Sequence, residues 1–389
     1  MMRDVSIIGI GQIRVSEYWD KSLRHLAHDA IMAALKDAGV ERVDALVVGN
    51  TLASFLAEQG HLGALIADFV GLRGVEAVRV DAADAAGAAA FRWGYMAVAS
   101  GLADVVVVVG VEQMSERSAE EVHRAHASVL DQEFEGIHGA TPNAIQALLM
   151  RRYMHEFNVP REAFAAFPLT AHANAVGNPN AMFRRAISEK AYARAGLVAD
   201  PLNMFDVSPI SDGAAAVILC PSDQVNTYAR TDKAPVRVLA SAVATDAVAV
   251  HDRKDPLFLQ AAYLSSHAAY TQAGITPRDV DVFELHDSTS IMAALSLEAC
   301  GFVARGQAVR FAAEGGIARN GLIPISTMGG LKARGNPLGA TGVYQIVELV
   351  QQLRGDAGEC QVQHVRIGMA QNLGGTGATA ITHLLRVEE

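Results

Sequence analysis

Several short segments of this chain carry residue types that could do chemistry. The richest is Met328–Gly342, which reads Met-Gly-Gly-Leu-Lys-Ala-Arg-Gly-Asn-Pro-Leu-Gly-Ala-Thr-Gly. Its glycines let backbone come close to a ligand, and Pro337 presets the first turn of a following helix. Phe283-Glu284-Leu285-His286-Asp287-Ser288-Thr289 places a histidine and an acid at an apolar strand end, and Val80-Asp81-Ala82-Ala83-Asp84-Ala85-Ala86-Gly87 places Asp84 where a helix begins. Gly110–Ser115, with Glu112, and the glycine-rich Gln371–Gly377 complete the set. His286 and Asn336 can donate hydrogen bonds, and a buried carboxylate at Asp84 can act as a base if burial raises its pKa. Plainer readings stand beside these. Asp84 can be a helix cap, His286 a satisfied core histidine, and Asn336 and Gln371 fillers of space.

The elements that would position these residues follow from periodicity. Short Val/Ile/Ala runs alternate with longer stretches of helical spacing, the pattern of βα units around a buried sheet. Strands are expected at Val5–Ile10, Ala45–Val48, Ala77–Val80 and Val105–Gly110, with helices at Leu23–Ala38 and Gly87–Ser100. The second helix is so rich in Ala and Gly that its neighbours must approach closely. From Glu112 to Pro201 the chain turns polar, with one strong helix at Ala144–Phe157, and reads as an inserted loop domain. The grammar then repeats: strands at Asp212–Leu219, Val236–Ala244 and Val282–Leu285, helices at Leu257–Ala273, Ile291–Ala299 and Gly339–Leu353, and closing strands at Val365–Met369 and Ala378–Leu385. An internal duplication of about 180 residues per half follows. The expected units are 1–225, including a loop domain about 115–205, and 235–389. A site belongs where helix N-termini of the two halves converge.

Composition excludes whole classes. With 32 Lys+Arg against 42 Asp+Glu, the net charge of −10 is wrong for a general nucleic-acid binder. At 51% hydrophobic and 19% charged the chain has ample apolar surface for a large core. Its apolar runs, such as Val105–Gly110, fall short of the roughly 18 to 20 residues that span a bilayer, and the N-terminal segment enters a strand directly, so a cytoplasmic protein without membrane contact is expected. Cys220, Cys300 and Cys360 are far apart and form no metal or disulfide pattern. Gly9-Ile10-Gly11 lacks the continuation of a dinucleotide fingerprint.

The Met328–Gly342 segment resembles the G-H-P-x-G-A-x-G loop of the thiolase superfamily, in particular its archaeal and sterol-carrier-protein-type branch, with Asn336 where the family has histidine. Phe283–Thr289 is similar to that family's E-x-H-D-x-F loop, Gly110–Ser115 to its G-x-E-x-M-S strand end, and Gln371–Gly377 to its C-terminal glycine loop. The resemblance covers essentially the whole chain. It implies a five-layer α/β fold of two duplicated βαβαβ halves with an inserted loop domain. It also marks two departures: Asp84 stands where the family carries its nucleophilic cysteine, and Gln371 where a second cysteine or a histidine would be.

A thiolate is what attacks a thioester and then leaves, so its loss argues against ordinary thiolase turnover. What the resemblance leaves is the oxyanion hole for a thioester carbonyl, formed by His286 and Asn336, with Asp84 as the new ionisable residue and Asp287 as a structural partner of the loop. Two functions follow. One is an enzyme that makes or breaks a C–C bond beside an acyl-CoA carbonyl, of aldol or Claisen type, without a covalent cysteine intermediate. The other is a catalytically silent subunit of a heteromeric thiolase or aldolase complex. The coenzyme A thioester is substrate, and no resident cofactor or metal is expected. A homodimer or a heteromer with another thiolase-like chain is implied, with a small OB-fold/zinc-ribbon protein as a further partner. His61, His138, His172 and Arg151-Arg152 are read as loop-face residues or subunit contacts, with a weak alternative of Arg151 or Arg152 facing the CoA nucleotide.

Overall fold

In the computed structural model, which describes residues 2–388, eleven strands are defined. They are β1 Val5–Gln12, β2 Ala45–Gly49, β3 Glu76–Val80, β4 Val106–Glu112, β5 Leu197–Ala199, β6 Leu202–Asn203, β7 Gly213–Pro221, β8 Val236–Thr245, β9 Val282–Glu284, β10 Ile367–Gly374 and β11 Thr379–Val387. Nine of them run in the order β3-β2-β4-β7-β1-β8-β11-β10-β9, and β5 with β6 forms a separate hairpin. The first half supplies β3-β2-β4-β7-β1 and the second β8-β11-β10-β9. They join through a two-residue pairing of β1 with β8. β4 is an unbroken buried run because it lies between β2, parallel, and β7, antiparallel, with helices over both faces.

Leu23–Ala38 turns Leu23, Leu26, Ala27, Ala30, Ile31 and Ala34 onto the outer face of the first half and ends at Gly39 in the left-handed conformation. Gln260–Ala273 covers the outer face of the second half. Between the halves lie Ala86–Ser100 and Thr341–Arg354, both packed on strands of each half. Five layers result. The two inner helices meet through glycine: a Cβ on Gly87 would sit 2.6 Å from the Gly339 carbonyl oxygen, and one on Gly342 2.3 Å from the Ala88 nitrogen. No side chain fits there, which brings the two helix N-termini together.

The region between β4 and β7 is more helical than its composition suggested, with Ala119–His126, Ala166–Ala175 and Glu189–Arg194 joining Pro142–Phe157. Ala119–His126 buries only Val122 and Ala125, so it has little apolar periodicity. Its signal is the Ser118/Glu121 capping box. Ala166–Ala175 holds Pro168 in its first turn, where no intrahelical N–H is required. A second difference bears on the site. The strand expected at Val365–Met369 runs on to Gly374, so Gln371 and Asn372 lie in β10 rather than in a glycine loop. Among the described residues no helix is long and apolar enough to cross a membrane.

Candidate active site

The chain between β3 and the Ala86–Ser100 helix is held at an unusual angle. Ala83 has φ 53°, a left-handed conformation uncommon outside glycine. The Asp81 carboxylate accepts its N–H at 2.8 Å, and the Thr51 hydroxyl donates to its carbonyl at 2.8 Å. This turn aims Asp84, 4% exposed, away from the helix it precedes: no side chain caps that helix. The capping alternative is thereby overturned. Asp84 Oδ1 instead lies 2.8 Å from Nε2 of His126, the last residue of Ala119–His126, and Oδ2 accepts the Gly375 N–H at 3.0 Å.

Burial is the largest influence on Asp84 and works to raise its pKa. The His126 charge and hydrogen bond, His286 and the Gly375 N–H together outweigh it and hold the carboxyl below the ordinary range. A base role for Asp84 needed burial to win, and it does not. For His126 burial works downward, but Asp84, with a smaller contribution from Glu112, leaves the imidazole pKa raised.

His286 follows β9 and is 1% exposed. Its Nδ1 lies 2.7 Å from Asn372 Nδ2. With that amide N–H donating to Nδ1, the ring proton resides on Nε2, which is buried and has no partner. Burial pushes the His286 pKa down to about 4 against the pull of Asp84 and Asp287, so the ring is neutral near pH 7 and presents an N–H donor. Asn336 is 5% exposed, donates from Nδ2 to Ser208 Oγ at 3.0 Å and accepts from Thr341 Oγ1 at 2.8 Å, leaving a second amide hydrogen. The 207–210 segment ties these loops together, because Ser208 N–H donates to the Ser288 carbonyl while Ile210 bridges to Asn336.

Gln371 does not join them. Its amide accepts from Cys300 Sγ and donates to the Ala262 carbonyl and Thr382 Oγ1, on the face of β10 turned away from His286. Strand alternation gives the inward position to Asn372. Sequence reasoning missed Asn372 and His126. The first was findable from the extended run ending β10, the second only from its capping box and polar loop.

Buried charges fix the loops. Glu112 accepts N–H groups from Thr51 at 2.9 Å, Leu52 at 3.0 Å and Gly339 at 3.1 Å, although burial pushes its pKa up to about 7. Asp287 accepts the Leu331 N–H at 2.8 Å, and the buried Lys332 donates to its carbonyl at 2.6 Å, so its partner is the loop backbone. Arg334 lies 3.0 Å from Glu348, both fully buried. All three cysteines are buried, and burial pushes the Cys220 and Cys300 thiols up to about 12.

A cleft of about 830 Å³ opens beside the site, its wall including His123, Arg185, Phe183, Val198, Met204, Ser208 and Lys332. Ser208 and Lys332 are the partners of Asn336 and Asp287, so the cleft adjoins the loops just described. His172 is also in this wall, buried, stacked on Phe183 and bonded to the Arg185 carbonyl, rather than on a loop face. Arg151 pairs with Asp200 and Arg152 with Glu156.

Two duplicated α/β halves with a site at converging helix N-termini define the class. The chain belongs to the thiolase family: residues 5–223 match the model of the thiolase N-terminal domain, and residues 242–387 match the thiolase C-terminal domain-like model. It is 44% identical over 385 residues to an acetyl-CoA acetyltransferase of Methanothermobacter thermautotrophicus, covering 98% of this chain and 99% of that one. It is 30% identical to human sterol carrier protein 2, over 98% of this chain and 72% of that protein. A solved structure titled Ltp2-ChsH2(DUF35) aldolase shares the fold at a TM-score of 0.85, with 24% identity, over 99% of this chain and 98% of that one.

Proposed function

We propose that this protein makes or breaks a C–C bond beside the carbonyl of an acyl-CoA thioester, in aldol or Claisen fashion, without a covalent cysteine intermediate. The observation that carries the reading is the buried, unpartnered Nε2–H of a neutral His286. An orphaned buried donor costs free energy unless a ligand atom completes it, and a thioester oxygen that gains charge as an enolate forms is such an atom. Asn336 Nδ2 supplies the second donor. Asp84, without sulfur, occupies the position facing them that the family resemblance gives to the nucleophile. The names of the relatives support an acyl-CoA substrate.

In this reading the apolar cleft side chains Phe183, Val198 and Met204 line the acyl-CoA arm, with His123 and Arg185 toward its phosphates. The open edge of β3, paired only with β2 among the described residues, supports assembly with a second thiolase-like chain. A small OB-fold/zinc-ribbon partner rests on the family resemblance alone.

Acetyl-CoA in D2O with the purified protein tests the proposal. Deuterium at the α-carbon, with no thiolysis of acetoacetyl-CoA, is the expected outcome. Binding of acetyl-CoA with no exchange, alone or with a partner chain, would replace the enzyme with the silent-subunit reading. The tie-up of Asp84 by His126 favours that alternative.

A further inference from the structure

We propose that His126 is the group that exchanges a proton with substrate in this site, and that Asp84 is a positioning residue acting through it. The inference rests on the acyl-CoA reading above and assigns the proton transfer within it.

The geometry separates the two residues. Asp84 is committed at both oxygens, to His126 Nε2 and to the Gly375 N–H, and is almost wholly enclosed. The His126 side chain is 24% exposed, and its Nδ1 makes no hydrogen bond among the described residues, nor is it one of the buried unsatisfied atoms. A carboxylate only accepts, so Nε2 carries the hydrogen in the pair and Nδ1 is left as the titrating nitrogen. A buried carboxylate that fixes the tautomer and orientation of a more exposed imidazole is the arrangement by which histidine is made an acid–base group on unrelated folds.

Two features show that the orientation is built. The strained φ of Ala83 aims Asp84 toward His126 instead of into its own helix. The Ser118/Glu121 box anchors the other end of the helix that presents His126, whose place at the helix C-terminus favours the imidazolium. The charged and titratable groups acting on His126 are Asp84, Glu112 and His286.

The chemistry balances. An α-hydrogen leaves as a proton to His126 Nδ1, the C–H pair enters the bond to the carbonyl carbon, and the π pair moves to oxygen, where His286 and Asn336 donate. Addition of the enolate to an aldehyde or ketone forms the C–C bond and an alkoxide, which takes the proton back from His126. The reverse sequence is retro-aldol cleavage.

The test is α-proton exchange of acetyl-CoA in D2O by the full-length protein and its variants, with acetyl-CoA affinity measured in parallel. His126→Gln is expected to slow exchange by at least about 100-fold, the lower range for a lost acid–base group, with affinity within a few-fold. Wild-type exchange rises with pH and levels off above the raised His126 pKa. In Asp84→Asn the imidazole loses its main upward influence, so that rise moves to lower pH and exchange continues at a reduced rate. Should His126→Gln fail to fold, His126→Ala with added imidazole gives the readout, recovery supporting the assignment and no recovery overturning it. Exchange by a folded His126→Gln within about three-fold of wild type, or its abolition by Asp84→Asn alone, overturns the assignment to His126 and leaves the acyl-CoA reading intact. No exchange by the wild type at any pH overturns both.

Discussion

Replacing Asp84 by Asn should destabilise the protein in a manner that depends on pH, because it removes the charge from a largely enclosed pair. The Asp84 pKa is depressed in the folded state, so its stabilisation is present above the unfolded value near 3.8 and is lost as pH falls through the lower folded pKa. The His126 pKa is raised, so its contribution is complete below the unfolded value near 6.5 and is lost as pH rises through the higher folded pKa. Both contributions are complete between about pH 4 and 6.5. Asn keeps the shape and a hydrogen bond but leaves His126 with burial acting to neutralise it. Charge-assisted hydrogen bonds contribute about 1.5 to 3 kcal/mol and breaking a fully buried pair costs about 3 to 5, so with His126 partly exposed we expect about 2 to 3 kcal/mol at pH 5.5. With an unfolding entropy of about 0.8 kcal/mol/K for a chain of this length, Tm falls by about 3 to 4 °C. The difference shrinks to about 1 kcal/mol at pH 9, where a neutral hydrogen bond remains. Denaturation of both proteins at the two pH values checks this. A difference that is the same at pH 5.5 and 9 would refute the ion-pair reasoning.

Further expectations follow from the same geometry. His286→Ala should lower acetyl-CoA exchange by about 100- to 1,000-fold with little change in binding, as for loss of one oxyanion donor, and the rates and affinities of the two proteins decide it. Gly87→Ala drives a methyl toward the Gly339 carbonyl where the inner helices cross; a loss of about 1 to 3 kcal/mol or more, or failure to fold, should appear in its melting curve. Gln371→Ala should cost about 1 kcal/mol of stability and leave exchange within about two-fold, since its amide serves Cys300, Ala262 and Thr382, and a large loss of exchange would return it to the site.

The layered fold was legible because its signals are local: the valine run of β4, the three-and-four spacing of Leu23–Ala38, and an Ala/Gly helix that only a crowded centre explains. The loops bearing Asp84, His286 and Asn336 were legible from their glycines and their neighbours. Gln371 misled because its place depends on how far β10 extends, and one residue of strand reverses the face. His126 was hidden because it reaches Asp84 from 42 residues away through a polar helix, a contact that no sequence spacing announces. The direction of the Asp84 shift was hidden for the same reason, since burial alone points the other way.

The most direct test of the central claim, C–C chemistry beside a thioester without an acyl-enzyme, is the intact mass of the protein after incubation with acetyl-CoA in D2O, read together with the mass of the recovered acetyl-CoA. The account predicts an unmodified protein and a deuterated α-carbon. A stable acetyl adduct on the protein, at Asp84 or elsewhere in the site, would contradict it.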